Sequence, residues 1–481
     1  MRAMREQGGG PAAAVYWFDG DPRWRPPEQV TPLTAQVEAD VCIVGGGFTG
    51  LWSALHIKRL APQAEVVLLE REFCGAGAAG RNGGWVNGFE GDLPTLVERF
   101  GEEAAVWLVG ASSDGLDDIG RTVAEGGIDC SYALNGGLSV ATCEAHLGHW
   151  GDLIPVSRRL GLGDHFRMLS AEEARAVSGC PQATGALETR HVGSVQPALL
   201  ARGLRRLAIE AGVKVYEMSP MTRFSRTRPA IVETTGGTVV ADRVVLGMAS
   251  WLAGVPELRR TLFIIPANVL ATERCSERLD AIGWQQGRPF ADARTTVHYG
   301  QRTYDDRMVF GRGGGRLGFA GSIIPQHFHD EREALEIAGD LSGMIPAMRG
   351  VGIRWRWAGP VDRAQHGMPW VGSLGKQGNI HYAAGYSGNG VGPSHFIGRT
   401  LASLALGIED EYATHPLVSE PPTWLPMEPV RYVGALAVRR AIKRCEDAEA
   451  AGREPDYVSR QLRKAIGVSM PKGVQVRRSR P

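Results

Sequence analysis

A chain of 481 residues is long enough for two or three ordinary domains and a large core. With 43% hydrophobic residues, 22% charged residues and a net charge of +1, it has neither the composition of a disordered or fibrous protein nor the basicity that points to nucleic acid. The seven cysteines (Cys42, Cys74, Cys130, Cys143, Cys180, Cys275 and Cys445) are odd in number and include no C-x-x-C pair, which argues against a disulfide framework and a redox dithiol, leaves no metal site expected and fits a reducing, cytoplasmic setting.

Residues 1–35 read as an extended arm whose aromatics, Tyr16, Trp17, Phe18 and Trp24, dock on the body, with a disordered leader over 1–12 an equal alternative. Val41-Cys42-Ile43-Val44 is short and wholly apolar, as in a buried parallel strand, and a helical pattern then runs from Leu51 to about Leu60, where Pro62 stops it. Val66-Val67-Leu68-Leu69 is a second buried strand. A glycine cluster follows at 75–91, helical periodicity over 93–130, a helix over 195–212, a strand at 213–216 and alternating strands over 230–247. Short strand-like runs fill 262–325, and a helix is predicted over Asp330–Met344. A third glycine-rich site, Ala383–Gly392, opens a helix ending near Gly407, and Pro416–Pro429 is a connector. Residues 430–450 form a basic amphipathic helix, expected to pack on the cofactor domain with a solvated basic face rather than on a membrane, and the last ten residues are expected to fray.

The pattern Gly45-x-Gly47-x-x-Gly50 lies between a predicted strand and a predicted helix, and Glu70 follows twenty residues later at the end of the next strand. Gly45 allows the tight turn, Gly47 lets a pyrophosphate approach the backbone, and Gly50 lets helix and strand pack closely. The helix N-terminus offers unpaired N–H groups to the phosphates, and Glu70 accepts hydrogen bonds from ribose hydroxyls. Together these predict a dinucleotide site but do not choose between FAD and NAD.

The run Gly75-Ala76-Gly77-Ala78-Ala79-Gly80-Arg81-Asn82-Gly83-Gly84 begins five residues after Glu70. Here the chain resembles the FAD-dependent oxidoreductases of the D-amino acid oxidase and glycine oxidase superfamily, in particular the branch of γ-glutamylputrescine oxidase and aminophosphonate oxidoreductases. His191–Pro197, Trp357-Ala358-Gly359-Pro360, Met368–Gly372, Ala384–Gly392 and Glu428–Ala435 extend the likeness over roughly residues 15–450. The resemblance implies an α/β fold, with a discontinuous Rossmann-like FAD-binding domain of GR2 type and a second, mainly antiparallel-sheet substrate domain. The expected division is an N-terminal arm over 1–35, a cofactor domain from 36–92, 188–253 and 355–412, a substrate domain from 93–187 and 254–354, and a C-terminal linker and helix over 413–481.

The same resemblance implies that FAD is held by Gly45, Gly47, Phe48, Thr49, Gly50, Glu70, Arg71, Ala78, Arg81, Asn82, Gly83, Gly84, Val215, Gly385, Gly388, Asn389, Gly390, Val391 and Gly392. The attachment is expected to be non-covalent, because the Ala383–Gly392 loop carries no cysteine and the Gly75–Gly84 run no histidine. Sarcosine oxidases of the superfamily carry an oxygen-activating lysine just after that loop; Gly392 stands there, so molecular oxygen and another electron acceptor both stay open. The expected reaction is hydride transfer to flavin N5 from a C–H beside the nitrogen of a small amine or amino acid, followed by hydrolysis of the imine. Substrate-side candidates are Trp85, His298, Tyr299 and Tyr386. Asn87 is a weaker one, Trp357 and Trp370 are read as core, and His366 is not favoured as a base. The rival readings are a flavin dehydrogenase or monooxygenase acting on something other than an amine, and a protein that binds FAD without turnover. Neither oligomeric state nor the identity of the amine is legible.

Overall fold

The structure, a computed structural model, describes residues 14–26, 29–421 and 424–464, so the leader over 1–12 and the last ten residues lie outside the described residues. Short strands assembled from three distant stretches of chain make the first sheet. Its order is Trp370–Leu374, Ile380–Ala384, Thr238–Leu246, Gln36–Val44, Val66–Leu69 and Lys214–Tyr216. Neighbours run parallel except Trp370–Leu374, and the hairpin Met221–Phe224/Ala230–Thr234 is added antiparallel to Thr238–Leu246. All four residues of Val66–Leu69 are buried, which is why that strand reads as an unbroken apolar run.

Helix Phe48–Leu60 connects the first two strands and is buried from Phe48 to Ile57. It lies against helix Pro393–Leu406 so closely that a Cβ on Gly398 would come 2.7 Å from the Trp52 Cβ. A polar cluster that runs from the buried His395 to the surface ties both to helix Glu102–Glu125: Asp118 accepts from His395 Nε2 at 2.6 Å and from Arg59 at 2.8 Å.

The second sheet has eight strands in the order Ile353–Arg363, Phe263–Thr272, Met308–Arg312, His298–Arg302, Phe290–Asp292, Gly137–Ala141, Gly185–Thr189 and Phe166–Leu169. Every pairing is antiparallel except Phe290–Asp292 with Gly137–Ala141. Helix Glu331–Met344, capped by the Asp330 side chain, packs against this sheet through Ile337, Leu341 and Met344.

The two ends of the chain depart from expectation. The aromatics of the arm are buried as anticipated, but Tyr16–Gly20 forms a wide helical turn rather than an extended segment. Trp17 donates its indole N–H to the Asn82 carbonyl at 2.8 Å, so the arm braces the second glycine run from behind. Helix Val430–Ala450 forms where the amphipathic pattern predicts, but its partners belong to the second sheet and its covering helix. Thr296 donates to Glu446 from both N–H and hydroxyl at 2.7 Å, and Arg439 pairs with Glu333 at 2.8 Å. The Thr296 donors and the buried acid Glu333 thus anchor the helix there.

Candidate active site

Between the two sheets lies one elongated cavity of about 2120 Å³. At one end Gly45, Gly47, Phe48 and Thr49 meet Glu70 and Arg71; beyond them come Ala78, Arg81, Asn82, Gly83 and Trp85, and then Tyr299, Tyr386, Gly388, Asn389, Gly390 and Val391, all of which line the space.

Glu70 is set by two backbone bonds. Gly46 N–H donates to Oε2 at 2.7 Å and Glu72 N–H to Oε1 at 2.9 Å. Burial pushes its pKa up, and the two N–H donors oppose that rise. The carboxylate therefore ties the strand-to-helix turn to the end of the next strand while facing an open crevice. Arg71 lays its guanidinium over the Trp251 ring, 4.6 Å from its centroid.

Gly50 and Gly47 are glycine for different reasons. A Cβ on Gly50 would lie 1.9 Å from the Gly45 carbonyl oxygen, so the helix cannot pack on its strand otherwise. A Cβ on Gly47 would meet only the Ala79 Cβ at 3.8 Å, an ordinary contact, so protein packing does not demand glycine there. What Gly47 keeps clear is cavity, beside the free N–H groups of the first turn of Phe48–Leu60, as a pyrophosphate requires.

The run from Gly75 to Gly84 is held by its own backbone and by tryptophans. Arg81 donates Nε–H to the Ala76 carbonyl at 2.9 Å, and Trp357 donates to the Arg81 carbonyl at 2.7 Å. Tyr299 covers the run from the second sheet: a Cβ on Gly83 would sit 2.5 Å from a Tyr299 ring carbon. Across the cavity the Tyr386 hydroxyl is 2.7 Å from the Thr49 hydroxyl.

Six expected site residues stand outside the cavity lining. Gly50, Gly84, Gly385 and Gly392 shape backbone instead: a Cβ on Gly84 would strike Gln301, on Gly385 Trp370, and on Gly392 the Asn87 carbonyl. Val215 packs into the hydrophobic core, and Ser219 and Pro220 line the cavity at that edge of the sheet. His298 corrects a substrate-side expectation. Side chains alternate along a strand, so with Tyr299 facing the cavity His298 faces away. It is buried, with Nδ1 2.8 Å from Asp292 and Nε2 3.0 Å from Asp340. Burial opposes its positive charge, but the two carboxylates prevail and raise its pKa. The two carboxylates hold the ring in place behind the sheet.

The glycine cradle, the helix start and Glu70 thus line one continuous cavity whose chemistry would suit an adenine dinucleotide, and the stretch Arg81–Gly83 beneath Tyr299 lines it where the ring system of a flavin would be accommodated. Residues 40–404 match the family model described as FAD dependent oxidoreductase. The chain belongs to this family of FAD-dependent oxidoreductases. Among its relatives are the gamma-glutamylputrescine oxidoreductase of Escherichia coli (strain K12), 32% identical over 79% of this chain and 86% of that protein, and the glycine oxidase of Bacillus licheniformis, 24% identical over 76% and 93%. In fold it is similar to the crystal structure of glycine oxidase from Geobacillus kaustophilus (TM-score 0.62, 20% identity, 78% of this chain and 96% of that one). It is likewise similar to L-proline dehydrogenase from P. horikoshii (TM-score 0.64, 18% identity, 79% and 96%). FAD is the cofactor of this oxidoreductase family. No helix among the described residues is long and apolar enough to cross a membrane, and the described His, Cys, Asp and Glu form no metal-binding cluster.

Sequence reasoning missed two parts of this oxidoreductase's site. Helix Val430–Ala450 lines the cavity with Tyr432, Leu436 and Arg440, and nothing in a basic amphipathic pattern says which surface it will cover. The end of strand Ile353–Arg363 also reaches in. Asp362 accepts from the Gly385 N–H at 2.6 Å, and burial raises its pKa to about 6. His366, beyond the strand, is lowered to about 4 by burial and by Arg99 and Arg363. Its Nδ1 accepts from the Met368 N–H at 3.2 Å, and its buried Nε2 has no hydrogen-bond partner among the described residues.

Proposed function

We propose that this flavoprotein oxidises a C–N bond of a small amine or amino acid to an imine, which water then hydrolyses to a carbonyl compound and an amine or ammonia. The observation that carries the proposal is that Tyr299, which covers Gly83, and Trp85 both give aromatic wall to the cavity that the glycine runs line. The gamma-glutamylputrescine oxidoreductase and the glycine oxidases among the relatives support the choice of an amine. Gly47, the first turn of Phe48–Leu60 and Glu70 would hold the adenosine diphosphate half of FAD, and Arg81–Gly83 with Gly388–Val391 the flavin half. When bound, FAD supplies the two-electron acceptor for a C–H bond beside nitrogen.

The rest falls to side chains. Tyr299 and Trp85 exclude water and so disfavour an ammonium ion, whose free pKa is about 10, relative to the neutral amine. Holding the reacting carbon in one orientation contributes at most about 7–11 kcal/mol of the barrier reduction. The glycine loop carries no lysine, which supports an electron acceptor other than oxygen. The test is anaerobic addition of polyamines, amino acids and aminophosphonates to the purified yellow protein. Bleaching of the visible flavin band by at least one of them is expected; bleaching by hydroxy acids and by none of the amines would overturn the proposal.

A further inference from the structure

A second cleft, of about 320 Å³, shares no lining residue with the cofactor cavity. Its size falls within the range of small-ligand sites, roughly 300–1,000 Å³. Two of its lining residues hold the second glycine run: Trp17 donates to the Asn82 carbonyl at 2.8 Å, and Gln301 Nε2 donates to the Gly83 carbonyl at 2.7 Å. Asn82 and Gly83 line the cofactor cavity, so the run stands between the two spaces.

The polar groups of the cleft are spent unevenly. Gln301 Nε2 donates also to the Val195 carbonyl at 3.2 Å, Gln286 Nε2 to the Tyr304 carbonyl at 3.1 Å, and Asn135 Nδ2 to the Gln286 carbonyl at 3.2 Å. Each partner is a carbonyl, so each amide is held with its nitrogen turned to protein and its oxygen turned away. Gln301 Oε1, Gln286 Oε1, Asn135 Oδ1 and Ser194 Oγ have no hydrogen-bond partner among the described residues. Gln301 and Ser194 are buried, at 5% and 2% exposure, while Asn135 and Gln286 stand at the exposed rim. Arg23 pairs with Asp21 at 2.9 Å and Asp129 at 3.1 Å, and Arg302 with Asp280 at 2.6 Å and Asp306 at 2.7 Å. Two guanidiniums facing four aspartates are spent for an anionic guest and leave these pairs net negative.

From this inventory we infer that the cleft is a second binding site, for an ammonium group: the ammonium ion or a small primary alkylammonium. An ammonium carries N–H donors and no acceptor. It is the complement of a cleft that offers oxygens and keeps its own N–H groups occupied, and its charge suits the excess of aspartate. The proposed reaction would consume and release the same chemistry, but the site is argued from the cleft alone and stands without that reading. Gln301, which presents Oε1 to the guest and Nε2 to the Gly83 carbonyl, joins the cleft to the run that the cofactor cavity uses.

The test is calorimetric titration of the flavin-loaded protein, at constant ionic strength, with ammonium, methylammonium and tetramethylammonium chlorides. The last has the charge but no N–H. Saturable binding of at least one of the first two is expected, and the tighter of them tells the free ion from an amine as the guest. Tetramethylammonium should bind at least about tenfold more weakly, since it makes none of the charge-assisted bonds. Ser194→Ala should weaken ammonium binding by about tenfold, as should Asn135→Ala combined with Gln286→Ala. Flavin content and melting temperature report whether Ser194→Ala folds; the rim variant, at exposed positions, keeps the test decisive if it does not. Absence of saturable heat with either ion would overturn the inference and leave the cleft to water. So would equal binding of tetramethylammonium. Ammonium binding unchanged in both variants would place the guest elsewhere and overturn it too. None of these titrations needs turnover, so bleaching of the flavin by amines and binding in the cleft are judged separately.

Discussion

The hydroxyls of Thr49 and Tyr386, 337 residues apart in sequence, lie 2.7 Å from each other in a buried hydrogen bond. Thr49 sits in the first turn of the helix that follows Gly47, and Tyr386 in the glycine loop that precedes helix Pro393–Leu406. The bond fixes the spacing of the two loops, which under the proposed function would face different parts of FAD. Thr49→Val and Tyr386→Phe should each weaken FAD binding by roughly three- to tenfold, in line with a net bond of about 0.5–1.5 kcal/mol. The double variant should lose little more than either single one, measured by quenching of flavin fluorescence on titration.

Gly47 and Gly50 separate a cofactor role from a folding role three residues apart. Gly47→Ala should keep circular dichroism and melting temperature of the apoprotein but lower FAD affinity by at least about tenfold, since its Cβ enters open cavity. Gly50→Ala, with its Cβ 1.9 Å from the Gly45 oxygen, should fail to fold or melt much lower even without FAD.

Glu70 holds two backbone N–H groups as well as facing the crevice. Glu70→Ala should therefore yield protein lacking yellow colour, and added FAD should not restore wild-type stoichiometry. Glu70→Gln, which keeps one acceptor oxygen, should bind FAD at intermediate affinity. Acid precipitation of the wild type should release all the flavin into the supernatant, as non-covalent attachment requires.

His298 packs between the buried Asp292 and the partly exposed Asp340, and removing it takes one partner from each carboxylate, leaving Arg294 and Arg312. His298→Ala should lower stability by about 3–5 kcal/mol, the usual cost of breaking a buried charge pair. The fraction that folds should turn over with wild-type kcat, which distinguishes a core residue from a substrate contact.

Burial lowers the pKa of His146 and His381 to about 4 and of His415 to about 3, and His56 and His395 move the same way. Between those values and the unfolded value of about 6.5, the unfolded chain takes up protons that the native protein does not. Stability is therefore complete above about pH 6.5 and falls as pH drops towards 4. His298 opposes this trend, and so do Asp92 and Asp362, whose pKa values burial raises to about 6; the lowered histidines outnumber them. Urea midpoints should fall steadily from pH 7.5 to 4.5; a flat or rising profile would contradict the sign.

The first glycine motif, its strands and Glu70 were legible because each step is local: turn, helix and strand follow one another within about 35 residues, and the apolar runs are buried on both faces. The discontinuous α/β fold and the FAD site followed from family likeness in runs far apart in sequence. What the sequence hid depends on which face a residue presents. His298 and Tyr299 are neighbours of similar character, and only the sheet's register sends one into the core and the other to the cavity. The basic pattern over 430–450 fixed a helix but not its docking surface, which depends on Thr296 and Glu333, more than a hundred residues away.

Helix Val430–Ala450 lies wholly beyond residue 404, where the family match ends, yet it walls the same cavity as the glycine loops. The outline of the chamber is thus drawn partly by residues after the matched segment, so substitutions along this helix can reshape one wall while the glycine loops opposite keep their form.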